Sequence, residues 1–267
     1  MGRFSRLFMI AGLLAFAVPL LAQEASPTPD PAAALRVPPP PENGTSAELE
    51  QKGDQLRAQK AYLDSIDYYR AAAKKQDSAV LHNKIGISLL ALRRLGESRN
   101  EFQHAIKLDK NYPEAYNNLG ALYYNSRKLG SAVKEYKKAI KLSDENASFH
   151  SNLGTAYFSQ KDFDRATREY QRALQLDPTI FERSASAGVS VKLVTSDDLG
   201  RFHYLMAQMY GQNGDQERCR YYLSKANEDG YPIKGALRDD QFAGLRKDPE
   251  FVAFVRSLKP PPPLNSN

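Results

Sequence analysis

The chain of 267 residues has no tryptophan, one cysteine and four histidines. A single cysteine, Cys219, excludes a disulfide framework within the chain. The sequence also lacks HExxH, GxSxG and any glycine-rich phosphate loop, so it carries none of the compact signatures of metalloprotease, serine-hydrolase or nucleotide chemistry. Long apolar runs are scarce as well. The run Leu7–Ala22 is shorter than the ~18 to 20 residues a membrane-spanning helix needs, and Pro19 interrupts its end. Arg3 and Arg6 precede it, which makes residues 1–22 read as a secretory signal cut after Ala22. Leu20 stands where a small residue is preferred, so an uncleaved anchor in the inner membrane is the alternative. No cysteine follows the run, which excludes lipoprotein attachment.

Basic residues exceed acidic ones, 37 against 31, for a net charge of +6. Removing Arg3 and Arg6 with the signal leaves 35 against 31. The densest basic stretch, KEYKKAIK at 134–141, is not interleaved with stacking residues on a shared face, and a nucleic-acid partner is not expected. Residues 23–45 contain seven prolines and almost no large apolar side chain, so they read as a disordered linker; the tail 259–267 reads likewise.

What the sequence does have is repetition. NNLGALYY (117–124) returns as SNLGTAYF (151–158), and EYKKAIKL (135–142) as EYQRALQL (169–176). Gly86, Gly120 and Gly154 are 34 residues apart, a period that signals a helix-turn-helix solenoid. Counting each glycine as repeat position 8, Ala132 and Ala166 share position 20, Tyr136 and Tyr170 position 24, and Ala139 and Ala173 position 27. Positions 4, 7, 8 and 11 fall on one face of a first helix, and 20, 24 and 27 on one face of a second. Small residues at 8, 20 and 27 let the backbones approach, and the aromatics fill the space around them.

These residues resemble the tetratricopeptide (TPR) family over about 46–231. The resemblance implies an all-α, right-handed superhelical solenoid with units at about 46–78, 79–112, 113–146, 147–180 and 200–231. Thr45 and Glu48 form a capping box at its start, and Asp197 or Asp198 would cap the first helix of the fifth unit. Ala207, the next residue to fit position 8, lies 53 residues after Gly154, so an insertion occupies about 181–199. The alternation Val189, Val191, Leu193 within it suits a short strand or a packed connector. Residues 232–258 read as short amphipathic capping helices built on Phe242, Leu245, Phe251, Phe254 and Val255.

In that register His82, His150 and His203 all take position 4, where the family commonly places an aromatic packing residue, and His104 sits alone on a second helix. His82 and His150, two repeats apart, would be separated by roughly 20 Å, too far to share a metal. Cys219 falls at the small-residue position 20. No catalytic residue, cofactor or metal is therefore expected; an enzyme built on the insertion is the weakest alternative. The resemblance further implies that positions 2, 5, 6, 9, 12 and 13 line a concave groove. Those positions hold Asn83 and Leu90, then Asn117, Asn118, Tyr124 and Asn125, then Asn152, Thr155 and Phe158. An asparagine ladder at position 6 beside an apolar row at position 12 suits an extended peptide, because an amide donates and accepts at once. The competing reading is that these are helix-surface residues, the aromatics partly packed between repeats. The basic pattern of the two-carboxylate clamp is missing, with Ser148 and Asn152 in its place.

The expectation is an exported scaffold, in the bacterial periplasm or secreted, that binds a protein or peptide partner without chemistry of its own. The alternative is a membrane-tethered envelope assembly factor acting through its convex or cap surface. N-terminal sequencing of the protein from its native host is expected to start near Gln23. Recovery of intact Met1 or Gly2 in the membrane fraction would show the anchor instead.

Overall fold

The structure, a computed structural model, describes residues 36–181 and 196–258. The signal segment, the linker up to Leu35, the Val189–Leu193 alternation and the tail lie outside the described residues. Contacts divide the chain into Met1–Val37 and Pro38–Asn267, and every described helix falls in the second unit.

The described residues form eleven α-helices and no strand. They pair as α1 (Ser46–Ala58) with α2 (Tyr62–Lys75), α3 (Ala79–Ala91) with α4 (Leu95–Leu108), and α5 (Pro113–Asn125) with α6 (Leu129–Leu142). Then come α7 (Ala147–Ser159) with α8 (Phe163–Leu176), and α9 (Ser196–Gln212) with α10 (Gln216–Glu228). Three 3₁₀ turns lead to α11 (Pro249–Ser257). The expected capping box closes α1: the Thr45 side chain accepts from the Glu48 N–H, and Glu48 Oε2 accepts from the Thr45 N–H at 2.9 Å. The fifth unit begins earlier than expected, so Asp197 and Asp198 lie inside the first turn of α9 rather than at its cap.

The same contact holds each of the first four hairpins. The position-8 glycine of the first helix faces the position-24 ring of the second. A Cβ on Gly120 would stand 2.8 Å from the Tyr136 ring, and one on Gly154 2.7 Å from that of Tyr170. Around it, Ser65, Ser98, Ala132, Ala166 and Cys219 at position 20 are fully buried, as are the five alanines at position 27, Ala72 to Ala226. The turn residue at position 15 is left-handed in every unit: Lys60, Arg93, Arg127 and Lys161 at φ of 63°, 60°, 60° and 64°, and Gly214 at 77°. Four of five turns accept a side chain where glycine costs least. They are held by a bond from position 16 back to position 11, such as Lys128 N–H to the Tyr123 carbonyl at 2.9 Å.

The position-24 ring also answers to position 9. Tyr69 donates to Asp54 at 2.8 Å and Tyr170 to Thr155 Oγ1 at 3.1 Å, and Phe102 stands where Ile87 offers no acceptor. In the third repeat position 9 is Ala121, and the buried Tyr136 hydroxyl has no hydrogen-bond partner among the described residues.

Residues 38–45 depart from the expected disordered linker. The Pro38 carbonyl accepts from the Tyr68 hydroxyl at 3.2 Å, the Glu42 carbonyl accepts from Lys75 Nζ at 2.6 Å, and Gly44 packs on Leu49. Prolines donate no N–H but keep their carbonyls, so side-chain donors of α2 hold the segment. At the other end Phe242, Leu245, Phe251 and Val255 are buried, with Phe254 partly so, against the Tyr204–Tyr210 stretch of α9. One helix and three 3₁₀ turns make the cap.

Because its hydroxyl is buried and unpaired, Tyr136→Phe is expected to raise stability by about 1 kcal/mol, whereas Tyr170→Phe loses a bond and is expected to lower it by about 1 kcal/mol. Urea denaturation midpoints moving the same way in both variants would contradict this pairing rule.

Candidate functional site: the inner helix face and the cleft after the fourth repeat

On the inner face, position 6 of α3, α5 and α7 reaches back to position 5 of the first helix before it. Lys84 Nζ bonds Glu50 at 2.6 Å and also Asp54 at 2.7 Å. Asn118 Nδ2 donates to Asn83 Oδ1 at 2.9 Å, and Asn152 Nδ2 to Asn117 Oδ1 at 2.9 Å. Asn117 Nδ2 links to Asn118 Oδ1 at 3.3 Å, and Asn83 Nδ2 to the Tyr112 hydroxyl at 3.2 Å. The result is one chain of amides across three repeats. Asn83, Asn117 and Asn118 are buried, and Asn152 is half-buried.

This corrects the sequence reading, which left those amides facing a ligand. Adjacent first helices, α3 with α5 and α5 with α7, come close enough for the amides to satisfy one another. The apolar row is also inside. Leu90, Tyr124 and Phe158 are 7%, 4% and 0% exposed. Leu90 packs with Phe102, Leu119 and Leu122, Tyr124 bonds Ser159 Oγ at 2.7 Å, and Phe158 meets Phe163 at 5.2 Å. Thr155 is buried between Tyr170 and the Ser151 carbonyl. Of the expected set, Asn125 alone is exposed.

The inner surface opens further on, between α8 and α9. Aromatic rings bridge the seam between α8 and α9: Phe202 lies 5.5 Å from Tyr170 and 6.2 Å from Phe158, and Phe181 lies 5.4 Å from Tyr170. Beside them is a cleft of about 700 Å³. Counted from Ala207 as position 8, Met209 at position 10 lines it from α9 together with the inward set Arg201, Tyr204, Leu205, Gln208 and Gln212, at positions 2, 5, 6, 9 and 13. Applying the inward-position rule to the fifth unit finds them in the sequence. The facing wall is Phe163, Thr167, Arg168 and Gln171 of α8, and Tyr231 and Asp239 close the cap side.

Asp239 organises the floor, accepting from the Tyr204 hydroxyl at 2.8 Å and from Gln208 Nε2 at 2.7 Å. Burial and that carboxylate push the Tyr204 hydroxyl far above its ordinary range, so it stays a donor. Gln171 Nε2 donates to Gln212 Oε1 at 3.2 Å across the mouth, and the Arg201 guanidinium stacks 4.2 Å from the Phe163 ring. Cys219 lies beneath, fully buried, and burial pushes its thiol up to about 12, so it carries no thiolate at neutral pH.

The histidines are engaged too. His150 bonds Glu169 at 2.8 Å and the Asp144 carbonyl at 3.1 Å. Burial opposes its charge, but those acceptors outweigh burial and raise its pKa. Its stabilising effect is therefore complete below the ordinary pKa of about 6.5 and fades as pH rises through the raised value. His203 bonds Asp229 at 2.6 Å. His104 is not alone: its ring centroid is 4.1 Å from that of His82.

Paired helices with glycine-on-ring packing and an inner face of first helices define a tetratricopeptide-repeat solenoid. Sequence models described as TPR repeat match residues 89–126 and 128–161, and one described as tetratricopeptide repeat matches 147–180. No curated protein matches the chain in sequence. Among solved structures the chain is similar to PilF of Pseudomonas aeruginosa, at 16% identity and a TM-score of 0.52, covering 79% of this chain and 88% of that one. It is also similar to MamA from Desulfovibrio magneticus RS-1, at 15% identity and 0.48, covering 68% and 92%. The first TPR domain of human RPAP3 matches at 22% identity and 0.42, covering 45% and 94%. At such identities the likeness to PilF is one of fold.

Asn118→Ala removes the donor to Asn83 and the acceptor for Asn117, so it is expected to cost about 1 to 3 kcal/mol. The exposed Asn125→Ala is expected to change stability by less than about 0.5 kcal/mol. Equal urea midpoints for the two would mean that the amide chain does not hold the repeats together.

Proposed function

We propose that the protein is a non-catalytic scaffold that holds another protein by an extended peptide segment, laid along the inner helix face and into the cleft between α8, α9 and the cap. The cleft carries this reading: inward repeat positions surround about 700 Å³ with amides, cations and an apolar floor. Gln171, Gln208 and Gln212 match the donors and acceptors of a peptide backbone. Arg168 and Arg201 favour an acidic group beside it, and Leu205 and Met209 supply the floor. Solenoids offer such elongated surfaces because each repeat contacts only its neighbours. Asn125 and the half-buried Ser151 and Asn152 extend the surface along α5 and α7. Arg3, Arg6 and the short apolar run after them support an exported protein, periplasmic or secreted.

The test is to pan a displayed library of random peptides against the full chain and titrate an enriched peptide. The triple variant Arg168→Ala, Gln171→Ala and Gln212→Ala is expected to weaken binding at least about tenfold, since each hydrogen bond contributes about 0.5 to 1.5 kcal/mol, with an unchanged circular dichroism spectrum. Lys134→Ala with Lys141→Ala, on the second helix of the third repeat, is expected to bind as the wild type does. Full affinity in the folded cleft variant, or loss only in the lysine variant, would overturn the reading.

A further inference from the structure

Four repeat positions meet at one edge of the second, third and fourth hairpins: 4 on the first helix, 23 and 26 on the second, and 32 of the preceding repeat. In the fourth repeat they are His150, Glu169, Arg172 and Asp144. His150 Nδ1 bonds Glu169 at 2.8 Å, and the Arg172 guanidinium bonds Asp144 Oδ2 at 3.1 Å. In the third repeat they are Tyr116, Glu135, Lys138 and Lys110. Lys138 Nζ pairs with Glu135 at 3.0 Å and lies 5.4 Å from the Tyr116 ring centroid, and the Tyr116 hydroxyl donates to the Lys110 carbonyl at 3.2 Å. In both repeats position 23 is glutamate and position 26 a cation, whereas the first repeat has Tyr68 and Ala71 there and the fifth has Tyr222 and Lys225.

The second repeat keeps the pattern but changes its chemistry. Its quartet is His82, Glu101, His104 and Asp77. His82 Nδ1 stands 2.6 Å from Glu101 Oε2, and its Nε2 stands 2.7 Å from Asp77 Oδ1. His104 Nε2 lies 3.8 Å from the other Asp77 oxygen. Arginine and lysine at position 26 are cations at neutral pH with no lone pair to give, whereas an imidazole nitrogen is a common metal ligand.

We propose that Asp77, His82 and His104 form a binding site for a divalent transition-metal ion of the zinc type, with Glu101 orienting His82 from outside. One ligand atom from each of the three lies within 4.8 Å of the others. Tetrahedral bonds of about 2.0 to 2.1 Å place ligand atoms about 3.4 Å apart, so small side-chain shifts bring these atoms into place. The bond from Nδ1 to Glu101 persists when a metal displaces the proton that Nε2 shares with Asp77 at 2.7 Å, which gives the carboxylate–histidine–metal arrangement of zinc proteins. Two imidazoles and a carboxylate suit zinc and its first-row neighbours, and a fourth place remains for water. The site is reachable: the side chains of Asp77, His82 and His104 are 49%, 17% and 43% exposed. Two carboxylates balance the charge of a divalent ion held by neutral imidazoles.

The experiment is calorimetric titration of Zn²⁺ into the full chain, free of any histidine tag, near pH 7.5. Saturable binding of one ion per chain is expected. His104→Arg, which reproduces the fourth-repeat quartet, is expected to abolish it, and Glu101→Gln to weaken it about 10- to 100-fold. His150→Gln serves as the control and is expected to bind as the wild type does. His104→Gln repeats the test should the arginine variant lose its helical circular dichroism. Absence of saturable binding in the wild type, or wild-type affinity in a folded His104 variant, would overturn the proposal.

Discussion

The first four hairpins depend on a ring pressed against a helix that has no side chain at one place. Any Cβ at Gly53, Gly86, Gly120 or Gly154 would come within 2.5 to 2.8 Å of the ring at position 24. That contact sets how deeply two helices of a repeat approach, and the fully buried alanines at position 27 follow from it. The interaxial distance then decides which side chains the next repeat meets. In the fifth unit Leu223 replaces the ring and Ala207 the glycine, and both are fully buried, so the same packing survives a different pair of volumes.

The close approach has a second consequence along the inner face. First helices of successive repeats lie near enough for position 6 to bond position 5, by an ion pair at Lys84 and by amides at Asn118 and Asn152. A residue type that reads as a peptide-binding ladder is thereby spent on joining repeats. Buried amides tolerate this because each finds a partner, and burial without one costs more than the bond gains. After α8, the inner positions of α9 line a cleft instead. The place where the repeat register breaks in the sequence is also the place with an open cleft.

The outer-edge quartets show how repetition builds variants of one arrangement. The same four positions give a tyrosine edge in the third repeat, an arginine-pinned carboxylate in the fourth, and a pair of imidazoles between two carboxylates in the second. None of this is visible from spacing along a single helix, because each quartet draws on two helices and on the connection from the repeat before.

The helix pairs and the buried small positions were legible in the sequence. They follow from local periodicity: a 34-residue spacing of glycines, and aromatics at fixed distances from them. The left-handed turns were not signalled, since Lys60, Arg93, Arg127 and Lys161 stand where glycine is usual and the carbonyl of position 11 holds them there. The sequence also determined which residues point inward, because that is a property of one helix. Whether an inward residue meets solvent or another repeat is a property of two helices and the angle between them. Tertiary structure alone therefore decided that Asn118 is buried, that Gln212 lines a cleft, and that His104 lies against His82.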